Sequence, residues 1–305
     1  MPPKRITYAN VCSASPVLTY VSHSDIFVGE MNRYTQTRGA ELMQGNARTT
    51  ATTRRTASAG STAEAAYAAA KRLFNRSDYE GCVNIAQAAL ERFGDDPAAA
   101  KLLLALAMGL YYLGRMNELV DVLQRMAGMD LPEEIRCRYL VLCGRKLLYE
   151  RDPGAVPLLE DAAAACHAAG ALQDEAWAQL SAARSCLVSE QFAEAIQWTE
   201  QVSYAPYQAK ALLLRGEAEL GRGNVDIARD LLSQARWLQL DDVDAPRADY
   251  LEAYCRYRSG DLIGAQLALG RAWYGANAAK QFDYELINAI QALRMSLFPG
   301  KEVTA

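Results

Sequence analysis

The sequence is short of the residues most chemistry needs. Only two histidines occur, His23 and His167. Cys166 and His167 are neighbours, and on a helix their side chains diverge by about 100°, a poor nucleophile–base arrangement. H-E-x-x-H, G-x-S-x-G and phosphate-loop motifs are all missing. Gly221-Arg222-Gly223 begins like a dinucleotide loop, but Asp226 stands where its last glycine belongs. No catalytic, metal or cofactor residue is therefore expected, and the chain is read as non-enzymatic. The seven cysteines are odd in number and show no C-x-x-C spacing. Most sit at apolar positions of expected helices, where a thiol behaves as a small hydrophobe. That pattern points to a reducing, cytoplasmic setting.

Proline is also scarce, ten residues in all, and those beyond the N-terminal region lie near expected helix ends, as a helix-rich chain requires. No apolar run is long enough to span a bilayer, and the start of the chain is too polar for a signal peptide. Net charge is −4, so no overall basic field attracts nucleic acid. The charge is uneven: residues 1–62 hold seven Lys/Arg against three Asp/Glu.

What is present is mainly helix-forming. An apolar share of 51 % excludes global disorder. Residues 1–62 show no period, and Gly45 to Thr62 is rich in Thr, Ser, Ala and Gly, with three arginines and no acid. This segment is expected to be a flexible arm. Other readings of it are a phosphorylation site at Arg55-Thr56-Ala57-Ser58, a transit peptide, or a partner-docking tail. Met31 is an alternative start. Helical period begins at Thr62, which can cap a helix with Glu64 in its first turn. The sequon Asn75-Arg76-Ser77 falls at a helix end and is read as chance.

Six helix pairs then follow over residues 63–275. A last amphipathic helix lies in residues 276–299, and a tail covers 300–305. The second helices start at Tyr79, Met116, Pro153, Phe192, Val225 and Leu262, giving spacings of 37, 37, 39, 33 and 37. A period this steady marks a repeat protein. The clearest unit is Leu213 to Ala235, with small residues at Gly216, Ala218, Ala228 and Ala235 and a turn at Gly223-Asn224.

These residues resemble the tetratricopeptide repeat. Gly216, Gly223, Ala228 and Ala235 match its motif, as do Gly260, Ala265 and Ala272. Tyr79, Ala89, Gly114, Gly144, Ala163, Phe192 and Ala195 carry it elsewhere. Departures are Leu119 and Met126 in the second repeat, which predict splayed helices, Arg151 at the third turn and Val202 in the fourth unit. The resemblance implies an all-α, right-handed α-solenoid of antiparallel helix pairs, with a solubilising final helix. It also places first helices on a concave, partner-binding face.

On that face the pattern puts Tyr67, Lys71, Met108, Tyr111, Tyr112, Arg145, Tyr149, Arg184, Tyr254, Tyr257 and Arg258. Tyrosine and arginine suit recognition, and the cations favour an acidic partner. Some of these tyrosines are equally readable as packing residues. The paired asparagines that clamp a C-terminal carboxylate in some members are missing. Trp198, Trp237 and Trp273 are expected to plug seams between repeats, and Asp230 with Glu217 to be a solvated pair. The function expected is a non-catalytic scaffold or adaptor in a protein assembly, docking a helix or extended segment. The alternatives are a dedicated chaperone or a structural subunit of ubiquitin-ligase, ciliary or vesicle-coat type.

Overall fold

The computed structural model describes residues 62–94, 96–241, 243–278 and 284–297. The expected arm, with its phosphorylation stretch and His23, lies outside them apart from Thr62. All regular structure among the described residues is helical. Thirteen α-helices are present: α1 (Ala63–Asn75), α2 (Tyr79–Phe93), α3 (Ala99–Tyr112), α4 (Met116–Ala127), α5 (Glu133–Tyr149), α6 (Ala155–Ala168), α7 (Leu172–Val188), α8 (Phe192–Gln201), α9 (Gln208–Gly221), α10 (Val225–Trp237), α11 (Ala245–Arg258), α12 (Leu262–Ala278) and α13 (Tyr284–Leu297). They are helix pairs in sequence order, the architecture the repeat spacing predicts.

Local chemistry fixes the ends. The Thr62 hydroxyl accepts from the Ala65 N–H at 3.2 Å, capping α1 as expected. Asp78 caps α2 through the Gly81 N–H, and Asp261 caps α12 through the Gly264 N–H, each at 2.9 Å. Every turn within a pair contains one residue in the left-handed region: Ser77, Gly114, Arg151, Glu190, Gly223 and Gly260. These repeat the spacings read from the sequence. Each turn closes in the same way. The Gly223 N–H donates to the Leu220 carbonyl, and the Asn224 N–H reaches back to that of Glu219 at 2.8 Å. This is the Schellman arrangement, which satisfies carbonyls a helix end leaves open.

The chain divides into two compact units at Ser185/Cys186, a point within α7. The N-terminal unit is built on a continuous apolar core. Leu102 and Leu110 of α3, Leu119 and Met126 of α4, and Leu142 of α5 are all fully buried in it. Each such side chain contributes about 1.5–3 kcal/mol. Small residues set how closely neighbouring helices approach, within pairs and between them. A Cβ on Gly144 of α5 would lie 2.5 Å from the Leu159 side chain of α6, and one on Gly109 of α3 would lie 2.7 Å from Val83 of α2. Leu119 and Met126, the departures from the motif in the second repeat, are buried residues of α4. Beside them is an open groove of about 550 Å³, lined among others by Leu90, Leu106, Leu110 and Val122.

The C-terminal unit has its own core, with Leu213, Leu251, Ile290 and Leu293 fully buried. Alanines at 228, 235, 265, 268 and 272 bring its helices together. Two expectations change here. Glu217 is not solvated: it is 5 % exposed and takes two hydrogen bonds from Arg247 of α11, at 2.7 and 2.9 Å. Trp237 plugs no seam, being 83 % exposed at the end of α10. Trp273 is also exposed, and only Trp198 of the three is half-buried.

Candidate partner-binding surface

Within the N-terminal unit, three successive first helices bring one cluster together around Arg145 of α5. Its guanidinium donates to the Ser181 hydroxyl of α7 at 2.8 Å and to the Tyr111 hydroxyl of α3. It also lies 4.7 Å from the centre of the Tyr111 ring and 5.2 Å from that of Trp177. The two rings meet edge to face at 6.5 Å. Arg145 thus makes cation–π contacts with two rings set roughly at right angles to each other. Its Nε is buried and has no hydrogen-bond partner. Nearby cations on α5 are neutralised: Arg138 by Asp174 at 2.8 Å and Lys146 by Glu150 at 2.7 Å. Among the described residues no carboxylate pairs with Arg145.

The sequence-predicted residues separate into three groups. Tyr111 and Arg145 form the cluster, and Tyr149 stands exposed at the end of α5. Lys71 is exposed and Tyr67 half-buried, with Lys101 at 6.0 Å from the Tyr67 ring centre. Lys101 itself pairs with Glu64, whose hydrogen bond raises its pKa. Met108 is half-buried against the core, and Arg184 is half-buried on α7. Tyr112 is a packing residue: it stacks on Tyr79 at 4.9 Å and meets Phe74 edge-on at 5.3 Å.

The remaining three belong to the C-terminal unit. Tyr254 is 3 % exposed, so it is core and not a binding surface. Its residual polar need is met by Arg258, whose guanidinium donates to its hydroxyl at 3.1 Å. Tyr257 is half-buried against the same core. Trp177 and Ser181 were absent from the expected set. Both lie on α7, a helix for which sequence reasoning named only Arg184, and the i, i+4 spacing of Trp177 and Ser181 was the available signal.

Cys166 and His167 do diverge. Cys166 is buried and its thiol is pushed up, chiefly by desolvation, while His167 is exposed and 3.2 Å from Glu175. Burial likewise raises Cys82, Cys186 and Cys255 to about 11. Such thiols are poor nucleophiles. The six described cysteines are free. No metal-holding group of side chains occurs among the described residues, and no described helix is long and apolar enough to cross a membrane.

No family model and no curated protein matches the chain. Among solved structures, a tetratricopeptide repeat protein from Parabacteroides merdae is similar over 77 % of this chain and 100 % of its own, at 13 % identity and a TM-score of 0.44. The chain resembles tetratricopeptide repeat proteins in its helix-pair repeats, and what carries the resemblance is its own left-handed turns at repeat spacing and the small residues between paired helices.

Proposed function

We propose that the chain is a non-catalytic protein-binding scaffold or adaptor. Its N-terminal unit holds an acidic helix or extended segment against the first-helix face around Arg145. The observation that supports this most is the guanidinium itself: fixed in place by Tyr111, Trp177 and Ser181, yet matched to no carboxylate among the described residues. A pre-oriented arginine flanked by aromatic rings recognises a carboxylate at low entropic cost. Tyr, Trp and Arg are also the residue types that dominate binding hot spots.

The test is affinity purification from the native cell with wild-type and Arg145→Glu chains, followed by titration of the acidic segment so identified. Charge reversal is expected to weaken capture by roughly 30-fold or more, the equivalent of a hot spot of about 2 kcal/mol. Helicity by circular dichroism should stay unchanged. Equal capture by both chains would remove the support for this surface, as would a bound segment without acidic residues.

A further inference from the structure

The second helix of the last pair carries an exposed apolar stripe. Ile263, Leu267, Gly270 and Tyr274 of α12 fall on one side of the helix by their three- and four-residue spacing. The three large side chains are 75 %, 66 % and 78 % exposed. The opposite side of α12, with Ala265, Ala268, Leu269 and Ala272, is the one packed into the core. At the positions equivalent to Ile263, Leu267 and Gly270, α10 has Asp226, Asp230 and Ser233 and α4 has Asn117, Asp121 and Gln124, all exposed; the position of Tyr274 is also an exposed aromatic in α10, Trp237. The one charged residue of α12, Arg271, is engaged by Asp249 and Glu252, each at 3.0 Å.

We propose that this stripe is a homodimer interface, in which α12 packs antiparallel against α12 of a second copy. The exposure fits. The flanking Leu262 and Trp273, 49 % and 38 % exposed, extend the stripe to five large apolar side chains on one helix, a contiguous patch of the kind that marks a protein–protein contact. The charge fits too. A two-fold contact places each group beside its own copy, and a stripe without charge meets no like charge. The order of residues is self-complementary. Run antiparallel, Ile263 faces Tyr274 of the second copy, and Leu267 faces Gly270. A Cβ on Gly270 would meet nothing within 4 Å, so this position is an open notch able to receive a leucine.

The proposal is independent of the Arg145 surface, which lies in the other unit. Sedimentation velocity of the full chain, from low to high micromolar, tests it. Wild type should dimerise. Ile263→Glu should weaken the dimer at least tenfold with unchanged circular dichroism, and Tyr274→Ser should do the same without adding a charge. Ile263→Glu combined with Tyr274→Lys should restore association, because each glutamate would then meet a lysine across the two-fold. A wild type that stays monomeric overturns the proposal. So does a dimer that both single variants leave intact, or a double variant no tighter than Ile263→Glu alone.

Discussion

Glu217 of α9 and Arg247 of α11 form a two-bond ion pair, 2.7 and 2.9 Å, inside the C-terminal unit. Both side chains are largely withdrawn from water. Such a pair adds little net stability against well-packed apolar residues, but removing one member takes two hydrogen bonds from a buried charge. Arg247→Met is therefore expected to cost about 3–5 kcal/mol. Adding Glu217→Gln in the same chain should recover a good part of the loss. Urea denaturation of the single and double variants measures both; equal stabilities of the two would show that Glu217 regains solvent once its partner is gone.

The left-handed turns give a prediction with opposite signs at equivalent positions. Gly223→Ala should destabilise by about 1–2 kcal/mol, because a Cβ in the left-handed region collides with the carbonyl that follows it. Glu190→Gly should stabilise, by up to about 1 kcal/mol, because the same conformation is already imposed on a residue with a Cβ. Paired thermal melts decide it, and a destabilised Glu190→Gly would mean the glutamate side chain contributes more than the turn strain costs.

Close approach in the third pair predicts a tight steric limit. Gly144→Ala puts a methyl group 2.5 Å from Leu159, a residue with no exposed surface into which it can move. Overpacking of this kind costs about 1–3 kcal/mol. Denaturant midpoints measure it. The same substitution at an exposed, unpacked helical glycine would gain helix propensity instead.

Thiol burial makes stability fall at alkaline pH. Cys82, Cys186 and Cys255 are held up at about 11 against an ordinary 9.0, with desolvation the leading cause in each. A raised folded-state pKa means the folded chain keeps its protons while the unfolded chain loses them. The stabilisation is thus complete below pH 9 and lost as pH rises from 9 towards 11. Melting temperature measured across that window should decline less steeply for Cys82→Ala than for wild type. Parallel slopes would show that the thiol at 82 does not contribute.

Much of the architecture was open to reading because helix pairs that stack must repeat their chemistry. Tyr79, Met116, Phe192, Val225 and Leu262 begin their helices as expected, and Thr62 caps α1. Tyrosines were harder to place. Tyr111, Tyr112 and Tyr254 look alike in sequence, yet one lies against Arg145, one is stacked on Tyr79, and one is buried. An amphipathic ring is compatible with all three environments, so its spacing alone does not distinguish them. Of the arginine's partners, Trp177 and Ser181 lie 32 and 36 residues along the chain, and only the stacking of α7 on α5 brings them to Arg145.

By itself the sequence determined the helix pairs, their register and their turns, since apolar period, small residues and left-handed positions are local properties of the chain. Tertiary structure decided which polar groups lose water. Glu217 is charged in any reading, but Arg247, arriving from thirty residues away, gives its buried carboxylate two hydrogen bonds. It also decided which apolar groups keep water. Ile263, Leu267 and Tyr274 lie on a helix whose other face is already filled by alanines and Leu269, and a helix packs one face into the core and leaves the opposite one to solvent or to a second chain.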